Sequence, residues 1–320
     1  MEKLHEIFTN HFIMPTYMMW IIFGVIVCVL LFLDLCVFHK KDEEPTIAET
    51  FKLSAFYIII ALIFGVFIIY EHGTQDGMLY YTGYLVEKSL SMDNIFVISL
   101  IFSSLNIPTK YQHRVLFWGI LGAIVMRALM IGIGAQLVSR FHWILYIFSL
   151  FLLYTGIKMV LQKEDDTPLT ETKLYQFIRR KFNVTKRIHN EHFFIHRQGK
   201  YFITPLFFAL LVIETMDVIF AVDSIPAIFL ITQDVFIVYT SNIFAILGLR
   251  SLYFLLAAAV NRFVYLKPAL AVILIFIGTK IFLPHIGINI EAVHSLSITF
   301  GILFIGIFAS LIKTKQPQVK

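Results

Sequence analysis

The sequence predicts an all-α membrane protein, a polytopic helical bundle of about nine transmembrane helices that contains an inverted repeat of three-helix units. Two observations carry this prediction. The chain has 320 residues, of which 58% are hydrophobic and only 15% are charged, a composition typical of polytopic membrane proteins. Its charged residues also recur in the same order in two consecutive groups of apolar segments. The chain therefore fits a duplicated membrane protein better than a soluble domain.

The apolar residues fall into nine segments of about twenty residues, which is the length of helix that crosses a bilayer core. We treat residues 1–320 as a single transmembrane domain, in which the last segment forms an extra C-terminal helix. The predicted spans are 15–38, 52–71, 79–105, 114–138, 142–162, 202–232, 235–260, 265–284 and 292–312.

Lysine and arginine concentrate in alternate loops between these segments. The first loop is basic, whereas the second has Glu71 and Asp76 but no basic residue. The loop at 163–200 carries nine basic residues, and the loop that follows the sixth segment carries none. Because basic loops stay on the cytoplasmic side, we expect a multi-pass protein of the cell membrane with its N-terminus outside and its C-terminus in the cytoplasm.

The cytoplasmic basic loop at 163–200 is the largest soluble piece of the chain. Its apolar and basic residues predict a helix on the inner leaflet, and 192–203 predicts a short hairpin with Gly199 in its turn. Three histidines of this loop either bind a metal ion or are ordinary surface residues: His189, His192 and His196. No cysteine or tight ligand pattern supports the first interpretation.

Among the carboxylates inside predicted spans, four form two pairs with the same spacing. Glu87 and Asp93 belong to the third segment, and Asp217 and Asp223 repeat their six-residue spacing in the sixth. A charge at the bilayer centre costs about 2.5–3.5 kcal/mol on insertion scales. Such residues therefore require a compensating feature, which can be a buried partner, a water-filled cavity or a bound ion.

The charged pattern extends over three segments in each copy. Arg127 and Lys158 of the fourth and fifth segments correspond to Arg250 and Lys280 of the seventh and eighth. We therefore expect a first repeat at 79–162 and a second at 202–284. Because three is odd, the two copies enter the membrane from opposite sides, as in the inverted repeats of many secondary transporters, whose substrate site lies at the repeat interface.

This symmetry predicts a metal site near the midplane. Asp93 and Asp223 occupy equivalent places in the two copies, and Glu87 and Asp217 would complete or flank their site. Carboxylates with neutral oxygen ligands suit a hard divalent cation such as Mn²⁺, Mg²⁺ or Ca²⁺. Pro226 could add a carbonyl by breaking its helix. Further candidate ligands or ligand partners are Asn94, Glu214, Ser224 and Asn242.

The alternative interpretation is structural, with the intramembrane charges neutralising one another and holding helices together. Lys88, Arg127 and Arg250 are then counter-charges or end residues that snorkel to the membrane interface. We expect each arginine to pair with a carboxylate of its own repeat. Asp34, near the inner end of the first span, is either a gate or proton acceptor or an interfacial charge.

At these residues the sequence resembles the TerC family of integral membrane proteins, including members of the Alx type. The resemblance covers nearly the whole chain and rests on long motifs, which are TGYLVEKSLSMDNIFV (82–97), RVLFWGILGAIVMRALMI (114–131), TGIKM (155–159), NEHFF (190–194), ETMDVIFAVDSIPAIF (214–229) and TSNIFAILGLRSLYFLLA (240–257). It implies export of Mn²⁺ and a role in metal homeostasis, and the family name refers to tellurium resistance. The family's acidic positions fall on Glu87, Asp93, Asp217 and Asp223.

The expected function is therefore export of a divalent cation, with Mn²⁺ favoured by the resemblance, in exchange for protons and without a prosthetic group. The expected partners are the metal ion, protons and the lipid bilayer, and no nucleic acid. The alternative is a membrane partner that delivers metal to secreted proteins, or an accessory protein of metal stress and tellurium resistance without autonomous transport. The secretion machinery or a second copy of the chain is a further candidate partner. An enzyme is not expected, because the Gly-x-Gly-Asp pattern of intramembrane aspartyl proteases is lacking.

The predicted topology can be tested with single cysteines. In a background without the two native cysteines, a cysteine at Thr74 should react with an impermeant reagent applied to intact cells, because that loop is expected outside. A cysteine at Thr167 should react only after lysis. Reaction of both cysteines from one side would contradict the inverted repeat.

Overall fold

A computed structural model describes residues 14–36, 47–161, 175–177, 184–185, 192–197, 200–257 and 265–314. In this part the chain forms helices and one two-stranded hairpin. In chain order the elements are α1 (Thr16–Cys36), α2 (Ile47–His72), α3 (Thr74–Ser104), α4 (Thr109–Arg140), α5 (Ile144–Leu161), β1 (Phe194–Arg197), β2 (Lys200–Ile203), α6 (Pro205–Ile231), α7 (Val235–Ile246), α8 (Leu249–Ala257), α9 (Leu266–Lys280), a 3₁₀ turn (Leu283–Ile286) and α10 (Ala292–Thr314).

Seven helical segments in the described part of the chain are long and apolar enough to cross a membrane. The segment at Val235–Leu255 is the most enclosed, with 89% of its apolar window buried. Two further helices coincide with predicted spans: α3, which carries charged residues at its centre, and α9, which has 15 residues. The chain is thus an all-α, multi-pass bundle, and the count of nine crossings stays a prediction.

One predicted span is interrupted. The segment at 235–260 is divided where α7 ends at Ile246 and α8 begins at Leu249. Gly248 between them has φ +79°, and a Cβ atom there would stand 2.8 Å from the ring of Tyr57, so glycine suits both the turn and the close approach. By contrast, α6 continues through Pro226, so the break expected at that proline is not formed.

The helices of the two predicted repeats exchange partners. The first helix of each copy packs against the second helix of the other, α3 on α7 and α6 on α4. The third helices, α5 and α9, pack against each other, and α3 also contacts α6. A twofold relation between the copies would produce this pattern, although the repeat itself stays a prediction. Helix α2 adds to the outside of this assembly through α3 and α8.

The contact between α5 and α9 is reciprocal at two glycines. A Cβ atom at either glycine would be crowded by residues that lie three and seven positions before the other glycine. Close approach of two backbones explains why both positions are glycine, and the Ser149 hydroxyl donates to the carbonyl of Gly278 across the contact. The facing residues are Ala271 and Ile275 for Gly156, and Ser149 and Leu153 for Gly278.

The predicted hairpin is confirmed, since β1 and β2 are antiparallel with Arg197 opposite Lys200. His192 and His196 of the cytoplasmic-loop prediction are exposed. His189 lies outside the described residues, as does most of 163–200, so the alternative of a metal site in this loop stays untested.

The glycine contact generates a stability prediction. Gly156→Leu should lower the unfolding free energy by about 1–3 kcal/mol, because the added side chain would meet the α9 backbone and force α5 and α9 apart. Thermal unfolding in detergent would measure the loss. Gly132→Leu is the matched control, since no atom lies within 4 Å of a Cβ at Gly132. Equal unfolding temperatures for the two variants would contradict the close contact.

Candidate metal centre

Arg127 is the centre of a buried polar cluster between the two predicted repeats. Its side chain is 1% exposed. Nη1 donates to the carboxylate of Glu87, to Asn242 Oδ1 at 3.1 Å and to Ser224 Oγ at 3.3 Å. Nη2 and Nε donate to the two oxygens of Asp217 at 3.1 and 3.4 Å. One guanidinium thus joins α3, α4, α6 and α7.

The spacing of the polar residues along α3 and α6 explains why they meet. Glu87 and Asn94 are seven residues apart on α3, and Asp217 and Ser224 are seven apart on α6. Seven residues are close to two helical turns, so each pair lies on one face of its helix. The two faces meet, and Asn94 Nδ2 approaches Asp217 Oδ1 at 3.5 Å.

Two polar atoms of this cluster are buried without a hydrogen-bond partner among the described residues. They are Glu87 Oε2 and the amide nitrogen of Asn242. An unpaired buried polar group costs about 1–3 kcal/mol. Such groups are rare in native proteins, and they are expected chiefly at sites that bind a water or an ion or take part in chemistry. The cluster carries two carboxylates and one guanidinium, so its formal charge is −2 + 1 = −1.

Asp223 lies apart from Arg127. It follows Asp217 by six residues on α6, which turns it about 120° around the helix axis. Its side chain is half-buried and interacts with Thr155 and Lys158 of α5. The side chain of Asp93 is outside the described part of the structure. The predicted meeting of Asp93 with Asp223 therefore stays a prediction, whereas Glu87 and Asp217 are brought together.

Glu214 lies between two cavities. It lines a small cavity together with Asn94 and Asp217, whose free space of about 30 Å³ has room for roughly two waters. It also lines an open groove between α4 and α6. Its Oε1 atom is buried, has no hydrogen-bond partner in the described residues, and lies against Gly119 and Gly122 of α4. A side chain larger than hydrogen at Gly122 would collide with this carboxylate.

Lys88 interacts with a backbone carbonyl. Its ammonium group donates to the Ala245 carbonyl at 3.0 Å, in the last turn of α7 before the break at Gly248. The final carbonyls of a helix lack partners within it, and a lysine there satisfies one of them. Lys88 therefore stabilises the interrupted span, whereas the sequence suggested a counter-charge for a carboxylate.

Arg250 and Asp34 form a second buried ion pair. Nη2 of Arg250 donates to Asp34 Oδ1 at 2.8 Å and to the Asp34 carbonyl at 3.0 Å. Tyr57 also hydrogen-bonds to Asp34. We predicted that Arg250 pairs with a carboxylate of its own repeat. That prediction is wrong, because Asp34 belongs to α1, which lies outside both predicted repeats. Asp34 is only 6% exposed and is the buried partner of Arg250. Its role as a gate or proton acceptor, or as an interfacial charge, stays a prediction.

The predicted pairing of Arg127 with a carboxylate of its own predicted repeat is confirmed, since Glu87 is one of its partners. Sequence reasoning missed the second partner, Asp217, which comes from the other repeat. The seven-residue pairs on α3 and α6 were the available signal. Among the side chains that the structure describes, no three histidine, cysteine or acidic groups form a ready metal cluster, and Asp93 is not among those side chains.

This geometry specifies which second change should rescue an arginine variant. Arg127→Ala should destabilise the protein by about 3–5 kcal/mol, because it leaves two buried carboxylates without their counter-charge. Adding Glu87→Gln should restore part of the unfolding temperature in detergent. Adding Asp223→Asn should restore none, because Asp223 faces α5. Equal rescue by both changes would contradict the assigned pairing.

The chain was also compared with known proteins. Residues 72–318 match the family described as integral membrane protein TerC. An uncharacterized membrane protein of Rickettsia bellii is 50% identical over 92% of this chain and 98% of its own length. One of Myxococcus xanthus is 47% identical over 93% of each chain. A protein of Escherichia coli K12, provisionally named membrane-bound redox modulator Alx, is 44% identical over 90% of this chain and 92% of its own.

No solved structure matches the chain. The family match covers more than half of the residues, and the motifs that contain Glu87, Arg127 and Asp217 all lie inside it. The relatives in Rickettsia, Myxococcus and Escherichia align over almost their whole length. The chain belongs to the TerC family of integral membrane proteins.

Proposed function

We propose that the protein exports a divalent metal cation, Mn²⁺ in the first place, across the cell membrane in exchange for protons. One observation carries the proposal. Two carboxylates from different repeats, Glu87 and Asp217, meet at a buried site, and each lies within two residues of the middle of its helix. The ion site of a transporter commonly lies at the interface of two repeats. Intramembrane carboxylates are typical of such sites.

The chemistry of the surrounding groups supports a hard cation. Besides the carboxylates, the site offers the side-chain oxygens of Asn94, Ser224 and Asn242, which are ligands of the kind that Mn²⁺, Mg²⁺ and Ca²⁺ prefer. These oxygens do not separate the three ions. The preference for Mn²⁺ comes from the family resemblance, so Mg²⁺ and Ca²⁺ belong in every transport assay.

Proton exchange follows from the surplus of acidic groups. A carboxylate must lose its proton to bind a metal, so metal and protons compete for the same groups. Arg127 neutralises only part of the cluster, and Glu214 and Asp223 add two carboxylates that it does not contact. Glu214 lines the inner cavity together with Asp217, so it is placed to accept or release a proton beside the metal site.

The alternative function is an accessory protein that delivers metal but does not transport it alone. The two functions differ in what the isolated protein does. Purified protein in liposomes should take up Mn²⁺ if it is the transporter, and it should not if a partner is required. The name of the Alx relatives suggests a redox role for those proteins, and a variant of this chain without Cys28 and Cys36 addresses it.

Asp217→Asn should abolish Mn²⁺ uptake into liposomes, because the amide keeps the size of the side chain but removes the charge that holds a divalent ion. Fluorescent detection of Mn²⁺ inside the vesicles would measure it. Glu291→Gln, at an exposed acidic residue, is the matched control and should transport normally. The variant without cysteines should also transport, since thiols are not ligands in this proposal.

Two results would contradict the proposed function. Wild-type protein that is folded and inserted yet takes up no Mn²⁺, Mg²⁺ or Ca²⁺ would favour the accessory role. Normal uptake by a folded Asp217→Asn variant would show that the carboxylate serves only to hold helices together.

A further inference from the structure

We propose that Arg127 is an internal counter-cation, which occupies the carboxylates while the site is empty and moves to Glu214 when a metal ion arrives. The metal and the guanidinium then alternate at one site. The inference rests on the proposed function and adds to it the identity of the group that the cargo must displace.

The partners of Arg127 are also predicted ligands of the metal or their supporting residues. Every contact that the structure gives to its guanidinium goes to a residue of that ligand set. Both carboxylates of the cluster are engaged, Glu87 by Nη1 and Asp217 by Nη2 and Nε. The two carboxylates are therefore already bound by a cation of the protein itself, the guanidinium of Arg127.

The positive charge of Arg127 prevents it from sharing the two carboxylates with a divalent cation. A divalent ion that bound Glu87 and Asp217 beside an unmoved guanidinium would meet a positive charge at contact distance inside a low-dielectric bundle. Arginine keeps its charge throughout, because its guanidinium does not lose its proton in proteins. The cargo and Arg127 must therefore exclude each other from these two carboxylates.

Glu214 offers a place for the displaced guanidinium. Glu214 precedes Asp217 by three residues on α6, so the two side chains are neighbours on one helix face. The buried Oε1 of Glu214 accepts no hydrogen bond from the described residues. Glu214 and Asp217 line the same small cavity, so the two carboxylates border one space. A shift of about one helical turn, near 5.4 Å, would carry the charge from Asp217 to Glu214.

A carrier would benefit because Arg127 lowers the charge of the empty site. A transporter of the inverted-repeat type changes conformation with its site loaded and again with its site empty. Empty carboxylates at the midplane would make the second change unfavourable. With Arg127 on Glu87 and Asp217, the formal charge of the empty site is −1 instead of −2, which lowers the cost of reorienting it.

Binding of Mn²⁺ to purified protein, by calorimetry and by the metal-dependent rise in unfolding temperature, tests the exchange. Arg127→Gln removes the competitor, so Mn²⁺ should bind about tenfold tighter or more. Glu214→Gln removes the alternative partner, so Mn²⁺ should bind more weakly. In the Arg127→Gln background, Glu214→Gln should have no further effect, because Glu214 acts through the arginine. Arg140→Gln, at an exposed arginine of the same helix, should leave the affinity unchanged.

Transport adds a second readout. Liposomes with Arg127→Gln should exchange internal for external Mn²⁺, but net uptake into empty vesicles should fall sharply because the unloaded site cannot return. If Arg127→Gln does not fold, Arg127→Lys serves instead. Its ammonium group keeps the charge but cannot form the same fork on two carboxylates, so Mn²⁺ should still bind more tightly than to the wild type.

The outcomes separate this inference from the proposed function. Wild-type protein that neither binds nor moves Mn²⁺ would refute both. Wild-type transport combined with weaker binding in folded Arg127 variants would overturn the counter-cation alone and assign Arg127 to positioning the ligands. A further loss of affinity from Glu214→Gln in the Arg127→Gln background would also overturn it, since Glu214 would then be a direct ligand.

Discussion

The bundle depends on the need to neutralise carboxylates that are buried near the middle of helices in a membrane protein. Each isolated charge there costs about 2.5–3.5 kcal/mol on insertion scales, so Glu87 and Asp217 require a partner that no single helix supplies. Arg127 provides it by reaching across the interface of the two predicted repeats. Because the guanidinium contacts α3, α6 and α7 from α4, the same interaction fixes four helices and defines the polar site.

The two arginines that correspond in sequence have different partners. Arg127 joins the predicted repeats, whereas Arg250 pairs with Asp34 of α1 and so attaches a helix from outside both repeats. Nearby, Ser54 of α2 donates to Ser251 of α8 at 3.1 Å. The first two helices therefore support the half of the bundle that contains the interrupted span, while α5 and α9 make a close contact through glycine.

Much of this architecture was predictable from local pattern. Apolar segment length located the helices, and the Glu87–Arg127 pair follows from a carboxylate and an arginine on adjacent spans of one copy. The partner Asp217 was missed, because the six-residue spacing of acidic residues does not state which helix faces meet, whereas the seven-residue pairs on α3 and α6 indicate those faces. The interruption at Gly248 was also missed, since a single glycine in an apolar run gives less signal than Pro226, which the long α6 accommodates without a break.

A structure determined with bound Mn²⁺ tests the central claim, that a cation and Arg127 compete for one pair of carboxylates. Anomalous diffraction would locate the metal independently of its ligands. We expect a peak about 2.0–2.6 Å from carboxylate oxygens of Glu87 and Asp217, the range of hard-cation contacts, with the Arg127 guanidinium turned to Glu214. A metal peak elsewhere in the bundle, with Arg127 still on Glu87 and Asp217, would contradict it.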